Sequence, residues 1–424
     1  MKSWNNLKEE IIDKDLCTTC GTCIGSCPKN IISFDKEERL ICRAEECISC
    51  GKCSNVCPGG NFNYVEFNKG IFDESIENID LDIGHYIEIK KGWSSNSKIR
   101  NNASSGGIVS EIILYLLKEK LIDGVVSIVP KGNNKIEYEV KIIKNIDELK
   151  LAAKSKYMLL PTNAIIQELT KLNGKYVYVG LPCQIQGIRK ATKYIKKLDE
   201  KIYLYIGIFC GFNMSKRATE FLINKSKIDR SKIKKIEYRA KINGKTGFRI
   251  SSENNEEFFV GKHEYTILNL FYSPKRCWKC FDLTGEFADI SIGDAWEEEE
   301  CSRIIIRTNK AKDIIERMNK EKKIEIKKSS KKDIILTQKQ LISYKKREIF
   351  IRKKIMKDFP DYNIKQYNLR LSEKIKGSIF FICLNIAHCK FGKIILNILP
   401  MKFIGQISTV LRSILKRNKS KEDS

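Results

Sequence analysis

The sequence predicts two joined units. A small α+β ferredoxin-like module with two clusters comes first, then an α/β domain with a largely parallel sheet, and last a helical, basic C-terminal tail. Three observations carry this. A cysteine run ending in Cys-Pro occurs twice near the N-terminus, strand-like apolar runs alternate with helix-period stripes through the middle, and Lys and Arg accumulate toward the end. A chain of 424 residues can bury two or three cores. With 42% hydrophobic and 31% charged residues, wholesale disorder is excluded.

Cys17-x2-Cys20-x2-Cys23-x3-Cys27-Pro28 returns thirty residues later as Cys47-x2-Cys50-x2-Cys53-x3-Cys57-Pro58. Three cysteines at this spacing let one tight loop aim three thiolates at three irons of a cubane, while the fourth is carried past to the other cube. One 4Fe–4S cluster is therefore assigned to Cys17, Cys20, Cys23 and Cys57, and a second to Cys47, Cys50, Cys53 and Cys27. A zinc ribbon would use paired CxxC ligands, and a disulfide framework belongs to small secreted domains. Half of the sixteen cysteines are thus committed to iron, and residues 1–15 contain no apolar signal core. The expectation is a cytoplasmic protein working at low oxygen. The module spans residues 1–66, with strands at Asn30–Phe34 and Asn61–Phe67 and pseudo-twofold symmetry between its halves. Cys42 lies outside the spacing and reads as a packed thiol.

Residues 67–92 read as a linker and 93–302 as the α/β domain. Ser104-Ser105-Gly106-Gly107 opens a helix with Ile108, Val109, Ile112, Ile113, Leu116 and Leu117 on its apolar face. Strands follow at 124–129, 137–143, 176–179 and 202–209, with helices at 162–172, 184–196 and 216–223, and then a more extended part with strands at 236–240, 248–251 and 257–260. Ligands of open α/β sheets sit beyond the carboxyl ends of the strands. Two such ends look alike, Gly180-Leu181-Pro182-Cys183 and Phe209-Cys210-Gly211, and predict a cofactor pocket bordered by Pro182, Cys183 and Cys210. The 104–107 loop, with its free amides and hydroxyls at a helix start, is an anion site. Cys277 and Cys280 form a CxxC pair. With Cys183 and Cys210 they would supply four thiolates, enough for a further cluster if the fold converges them, and otherwise a redox dithiol or a structural pair. Asp289 and Asp294 flank a strand that ends in Gly-Asp, where carboxylates could meet ribose hydroxyls or a flavin ring. No GxGxxG or Walker lysine is present.

Ala103-Ser104-Ser105-Gly106-Gly107, Lys154-Ser155-Lys156-Tyr157, Gly180-Leu181-Pro182-Cys183-Gln184, Phe209-Cys210-Gly211, Cys277-x2-Cys280-x-Asp282 and Ala288-Asp289-x3-Gly293-Asp294 occur in that order. Behind a two-cluster module, this order resembles the β subunits of coenzyme F420-reducing hydrogenases and dehydrogenases, over about residues 15–300. The resemblance implies bound FAD, contacted by Ser104, Ser105, Gly106 and Gly107 and by Ser155, Lys156 and Tyr157. It also implies electron relay through 4Fe–4S clusters. Lys154 stands where many relatives carry glycine. Tailed, free-standing relatives are linked to cell-surface polysaccharide assembly, so the substrate expected is a deazaflavin coenzyme or a polysaccharide precursor.

A flavin is expected on chemical grounds too. Clusters pass single electrons whereas organic substrates exchange two, and flavin converts between them. The chain is expected to be an oxidoreductase with two 4Fe–4S clusters and FAD, acting on a small organic two-electron substrate and on ferredoxin or another redox protein. The alternative is a non-catalytic electron-transfer subunit of a larger complex. His85, His263 and His388 are too few for conventional acid–base work.

From residue 303 onward there are 32 Lys and Arg against 11 Asp and Glu, which is most of the net charge of +26. Residues 303–424 form the basic extension, and its Ile-rich segments alternating with Lys over 303–375 read as short strands and helices that close the domain. Its apolar run 378–389 is too short to span a bilayer. Phe403, Ile404, Ile407, Leu411, Ile414 and Leu415 make a helical stripe with Arg412, Lys416 and Arg417 off it, which is the pattern of a basic helix lying on an anionic membrane. The plainer alternative is a helix packed on its own domain. Nucleic acid fits the charge, but no recognition module accompanies it.

Overall fold

The computed structural model describes residues 3–72, 79–132, 136–364 and 369–416. In the N-terminal module each cysteine run wraps a short helix, Thr22–Ser26 and Lys52–Asn55. Each helix is entered through a glycine in the left-handed region, Gly21 at φ 79° and Gly51 at φ 70°. Gly21 also answers a close approach, since a Cβ there would lie 2.7 Å from the Pro161 carbonyl oxygen. The strands β1 (Ile32–Phe34) and β2 (Leu40–Cys42) form an antiparallel hairpin between the two runs.

The strand expected at Asn61–Phe67 is not formed; Tyr64–Phe72 is a helix. Phe62, Tyr64 and Phe67 all turn to one side and pack with Phe287 inside the larger domain, so burial wins over strand propensity. The halves of the module are therefore not symmetric. The linker expected at 67–92 is shortened at both ends, by this helix and by a strand, β3 (Glu88–Ser94). Part of it, 73–78, falls outside the described residues.

In the larger domain β4 (Gly124–Pro130), β5 (Tyr138–Ile143), β6 (Tyr176–Gly180) and β7 (Ile202–Ile208) precede a separate antiparallel sheet. That smaller sheet consists of β8 (Ile233–Ile242), β9 (Lys245–Ser252) and β10 (Glu257–Gly261). The chain then returns with β11 (Ile290–Asp294), β12 (Ser302–Ile306) and β13 (Ile324–Lys328). The eight-stranded order is β13-β3-β12-β11-β7-β6-β4-β5. Its centre, β4-β6-β7-β11, is parallel, as expected, and both flanks are antiparallel. The central strands are apolar runs because helices cover both faces: Pro182–Thr192 packs on one and Ile108–Lys118 with Asn309–Lys320 on the other.

The sheet does not break at residue 302. β12 begins there and is fully buried, and the helix 309–320 and β13 complete the same layer. Beyond it, Lys331–Ile342 runs into a π-helical turn, Ser343–Arg347, and the chain ends in three helices, Leu371–His388, Lys390–Ile398 and Met401–Lys416. Among the described residues no single helix is long and apolar enough to cross a membrane. The pair Glu373–His388 and Lys390–Ile398, bent by 75°, passes that test by length and composition only.

Candidate redox site

A cavity of about 2010 Å³ opens at the carboxyl ends of the parallel strands. Single small-molecule pockets are typically ~300–1,000 Å³, so this one has room for a dinucleotide and a second ligand. Ser104, Ser105, Gly107, Ser155, Lys156, Tyr157, Cys210 and Asp294 all line it. The two segments singled out by resemblance meet directly: Ser155 donates to Ser104 Oγ from its backbone N at 2.9 Å and from its hydroxyl at 3.0 Å.

Gly106, Pro182 and Cys183 do not reach the cavity wall. The Gly106 amide already donates to Ser302 Oγ at 3.0 Å, and its carbonyl accepts from Ser94 N at 2.7 Å. A Cβ there would sit 2.5 Å from the Gly92 carbonyl oxygen. Gly106 therefore fits the loop against β3 and β12, and its amide is not free for an anion. Gly107, at φ 77°, turns the chain into the helix and does face the cavity. Pro182 is the first residue of its helix, where a missing N–H costs nothing.

Lys154 adopts φ 68°, a left-handed conformation that favours glycine. Lys154 lines the cavity, and its ammonium bonds Glu237 Oε1 at 2.6 Å. Lys156 donates to the carbonyls of Ala152 and Ala153, both at 2.6 Å, at the end of the helix Ile146–Ala152, and burial lowers its pKa to about 7. The two strand-end carboxylates part company. Asp289 is absorbed by Arg189 at 3.1 Å and by Tyr205 N at 2.7 Å within the sheet. Asp294 faces the cavity and is held through both oxygens by Arg239, at 2.8 and 2.7 Å. Arg239 and Trp296, which also line the cavity, went unnoticed in the sequence. So did Lys262, whose ammonium lies 3.0 Å from the Trp296 ring centroid. Arg239 and Lys262 come from β8 and from just after β10, and no local pattern links them to the strand ends.

The eight module cysteines fall into two neighbourhoods. Burial, and next the charge of Cys57, push the Cys17 thiol up to about 12, and the same causes act on Cys23 together with Cys17, Cys20 and, least, Cys53 of the other run. Burial also raises Cys53 to about 12, with Cys27, Cys47 and Cys50 as its charged neighbours. Each fourth cysteine thus lies beside the other run. Cys42 neighbours Cys47 and Cys27. Cys50 is exposed, while Cys20 and Cys23 are buried.

Cys183, Cys210 and the Cys277/Cys280 pair come together from three places in the chain. Burial raises the Cys183 thiol strongly, and its charged neighbours are Cys20, Cys210, Cys280 and Cys277. Burial raises Cys210 to about 12, with Lys345 opposing and Cys277 and Cys280 adding to the shift. Asp282 is wholly buried and organises the turn after them, accepting from Gly285 N at 2.8 Å and from Gln186 Nε2 at 3.1 Å. Among the described residues no three His, Cys, Asp or Glu groups sit close enough to hold a single metal ion.

The module is bonded to the larger domain around these groups. Asn163 N donates to Cys20 O at 2.8 Å, Lys190 Nζ to Cys57 O at 2.7 Å, and Arg276 to the carbonyls of Gly59 and Pro58. His85 bonds Arg307 O, His388 bonds Ser273 O and packs on the Trp278 ring, and His263 lines the cavity.

Three family models match. One described as "Coenzyme F420 hydrogenase/dehydrogenase, beta subunit N-term" covers residues 89–167, its C-terminus counterpart covers 173–332, and a "4Fe-4S dicluster domain" covers 9–58. Among similar proteins, coenzyme F420-dependent sulfite reductase of Methanocaldococcus jannaschii is 28% identical over 72% of this chain, which spans 46% of that relative's length. Coenzyme F420 hydrogenase subunit beta of Methanothermobacter thermautotrophicus is 29% identical over 55% of this chain and 81% of the relative. In fold, the chain is similar to one in the xenon-derivatised F420-reducing [NiFe] hydrogenase complex of Methanosarcina barkeri, with a TM-score of 0.55, 23% identity, and coverage of 67% of this chain and 98% of that one. The motif order, the paired N- and C-terminal matches and the dicluster match all agree: the chain belongs to the coenzyme F420 hydrogenase/dehydrogenase beta-subunit family and carries a ferredoxin-type 4Fe–4S domain ahead of it.

Proposed function

We propose that the chain is an iron–sulfur flavoprotein oxidoreductase. It exchanges electrons between a two-electron organic substrate in the cavity and one-electron protein carriers that meet the ferredoxin-type module. The observation that carries this reading is the position of Cys210. It lines the cavity and also belongs to the group of Cys183, Cys277 and Cys280, and Cys183 neighbours Cys20 of the module. Neighbouring cysteines running from exposed Cys50 to Cys210 support a route for electrons between the module and the cavity.

The residues suit the groups proposed. Two crossed sets of four cysteines, and a third set that includes Cys210, each offer soft anionic ligands to a 4Fe–4S cluster, whose irons occupy separate corners and so need no common ligand point. Ser104, Ser105, Gly107, Ser155 and Tyr157 would hold FAD, with Lys156 and the Arg239–Asp294 pair at its edge. When bound, flavin supplies the exchange between two-electron and one-electron chemistry. The protein's own part is to exclude water, orient the substrate and keep the ligands in line. The count closes: a reduced substrate gives up a hydride equivalent, its two electrons leave singly to two oxidised carriers, and the proton goes to water. The reverse direction has the same balance.

Coenzyme F420, named in the relatives, is the first substrate to test. Anaerobic protein supplied with reduced ferredoxin should reduce the coenzyme, and Cys210→Ser should slow this at least tenfold. Full activity in that variant, or no bound flavin in the wild type, would favour an electron-transfer subunit instead.

A second reading concerns location. Among the described residues the last three helices expose twelve large apolar side chains, including Ile382, Ile386, Phe391 and Ile398. Residues 371–416 carry seven Lys and Arg against one Glu. Two copies of such a face would repel each other, whereas an anionic lipid surface complements it.

A further inference from the structure

Lys345 and Lys346 are consecutive, and both are buried, at 2% and 0% exposure. The π-helical turn Ser343–Arg347 makes this possible by keeping Tyr344, Lys345 and Lys346 all inside. Such turns occur often at functional sites. The two lysines keep different company. Lys346 pairs with the buried carboxylate of Glu286, and the couple is neutral. Lys345 donates to Cys280 Sγ at 3.2 Å and to the Asp282 carbonyl at 2.7 Å. Cys280, Cys210 and Cys277 are the groups whose charge acts on it. No carboxylate accepts a hydrogen bond from it among the described residues.

A buried ammonium is costly unless a counter-charge lies nearby, and here the available counter-charge is sulfur. The geometry points to Lys345 as the resident counter-cation of the Cys183, Cys210, Cys277 and Cys280 site, raising the reduction potential of the cluster held there. The inference rests on the cluster proposed for those four cysteines. Two physical effects give the direction. Positive charge beside a cluster stabilises its more negative, reduced state, and a hydrogen bond to a ligand sulfur does the same. The consequence is that electrons are retained at the centre next to the cavity. Lys345 touches a ligand and not the substrate, so it is a positioning residue. It lies beyond residue 332, where the family match ends, so the C-terminal extension supplies it.

The test is a redox titration of the full-length, anaerobically isolated protein, followed by electron paramagnetic resonance. Cys277→Ser identifies the signal of this centre by its loss. In Lys345→Met that signal should persist with a more negative midpoint, and Lys345→Arg should return it toward the wild-type value. A midpoint unchanged in Lys345→Met overturns the inference and leaves the cluster reading standing. Loss of the signal in Lys345→Met with retention in Lys345→Arg supports a requirement for charge; loss in both shows a role of shape alone and overturns it. A wild-type protein with no signal dependent on Cys277 removes the cluster itself, and this inference with it.

Discussion

Ser104 Oγ accepts two hydrogen bonds from Ser155, at 2.9 Å from the backbone N and 3.0 Å from the hydroxyl, and so joins two loops that are far apart in sequence. Ser104→Ala leaves the Ser155 amide without this partner at a half-buried position, at a cost of ~1–2 kcal/mol. The predicted outcome is a lower flavin-to-iron ratio after desalting, measured on acid-released flavin and total iron. An unchanged ratio would separate this joint from flavin binding.

Gly106 is predicted to act on stability. The Cβ of Gly106→Ala would meet backbone at Gly92 and Ser302, costing ~1–3 kcal/mol. The melting temperature should fall, with flavin lost only as the protein unfolds. A variant that keeps its melting temperature yet loses flavin at room temperature would put Gly106 back in the binding site.

Cys27 should behave as a member of the second run. Cys27→Ala is expected to remove the signal of the cluster held by Cys47, Cys50 and Cys53, with a loss of about four iron per chain. Loss of the Cys17, Cys20 and Cys23 signal instead would overturn the crossed assignment.

The 4Fe–4S domain and the parallel centre of the sheet were legible because both rest on local, periodic signals: x2 cysteine spacing in one case, short apolar strands between amphipathic helices in the other. The misreadings have one physical origin. Phe62, Tyr64 and Phe67 look like a strand until Phe287, more than two hundred residues away, supplies the surface that buries them as a coil and helix. Gly106 looks like a phosphate loop until Gly92 and Ser302 occupy its flank. The strands expected after residue 303 do form, but the boundary drawn at 302 cuts β12, because local pattern cannot show its pairing with β3 and β11. Lys345 has no sequence signature at all, since only a π-helical turn sends it inward.

The stripe read at 403–415 is also divided by packing. Ile404 is buried in the domain core and Ser408 donates to His263 O at 2.7 Å, while Phe403 and Ile407 stay exposed; the side chains of Leu411, Ile414 and Leu415 lie outside those described. Removing the tail would therefore strip core, so exposed positions are the better test. The wild type is predicted to co-sediment with vesicles of anionic lipid, much less with neutral ones, and less at high salt. The double substitution Ile382→Glu and Ile386→Glu should abolish the binding with flavin and iron intact. Full vesicle binding by that variant would contradict a lipid-facing role for these helices.

The measurement that tests the account most directly is cofactor content in anaerobically isolated wild-type protein and in Cys277→Ser. Three cubane clusters and one flavin predict about twelve iron and about one FAD per chain in the wild type, and about eight iron with the FAD retained in the variant. A wild type with eight iron or fewer, or without flavin, would contradict a sulfur-ligated route from the module to the cavity.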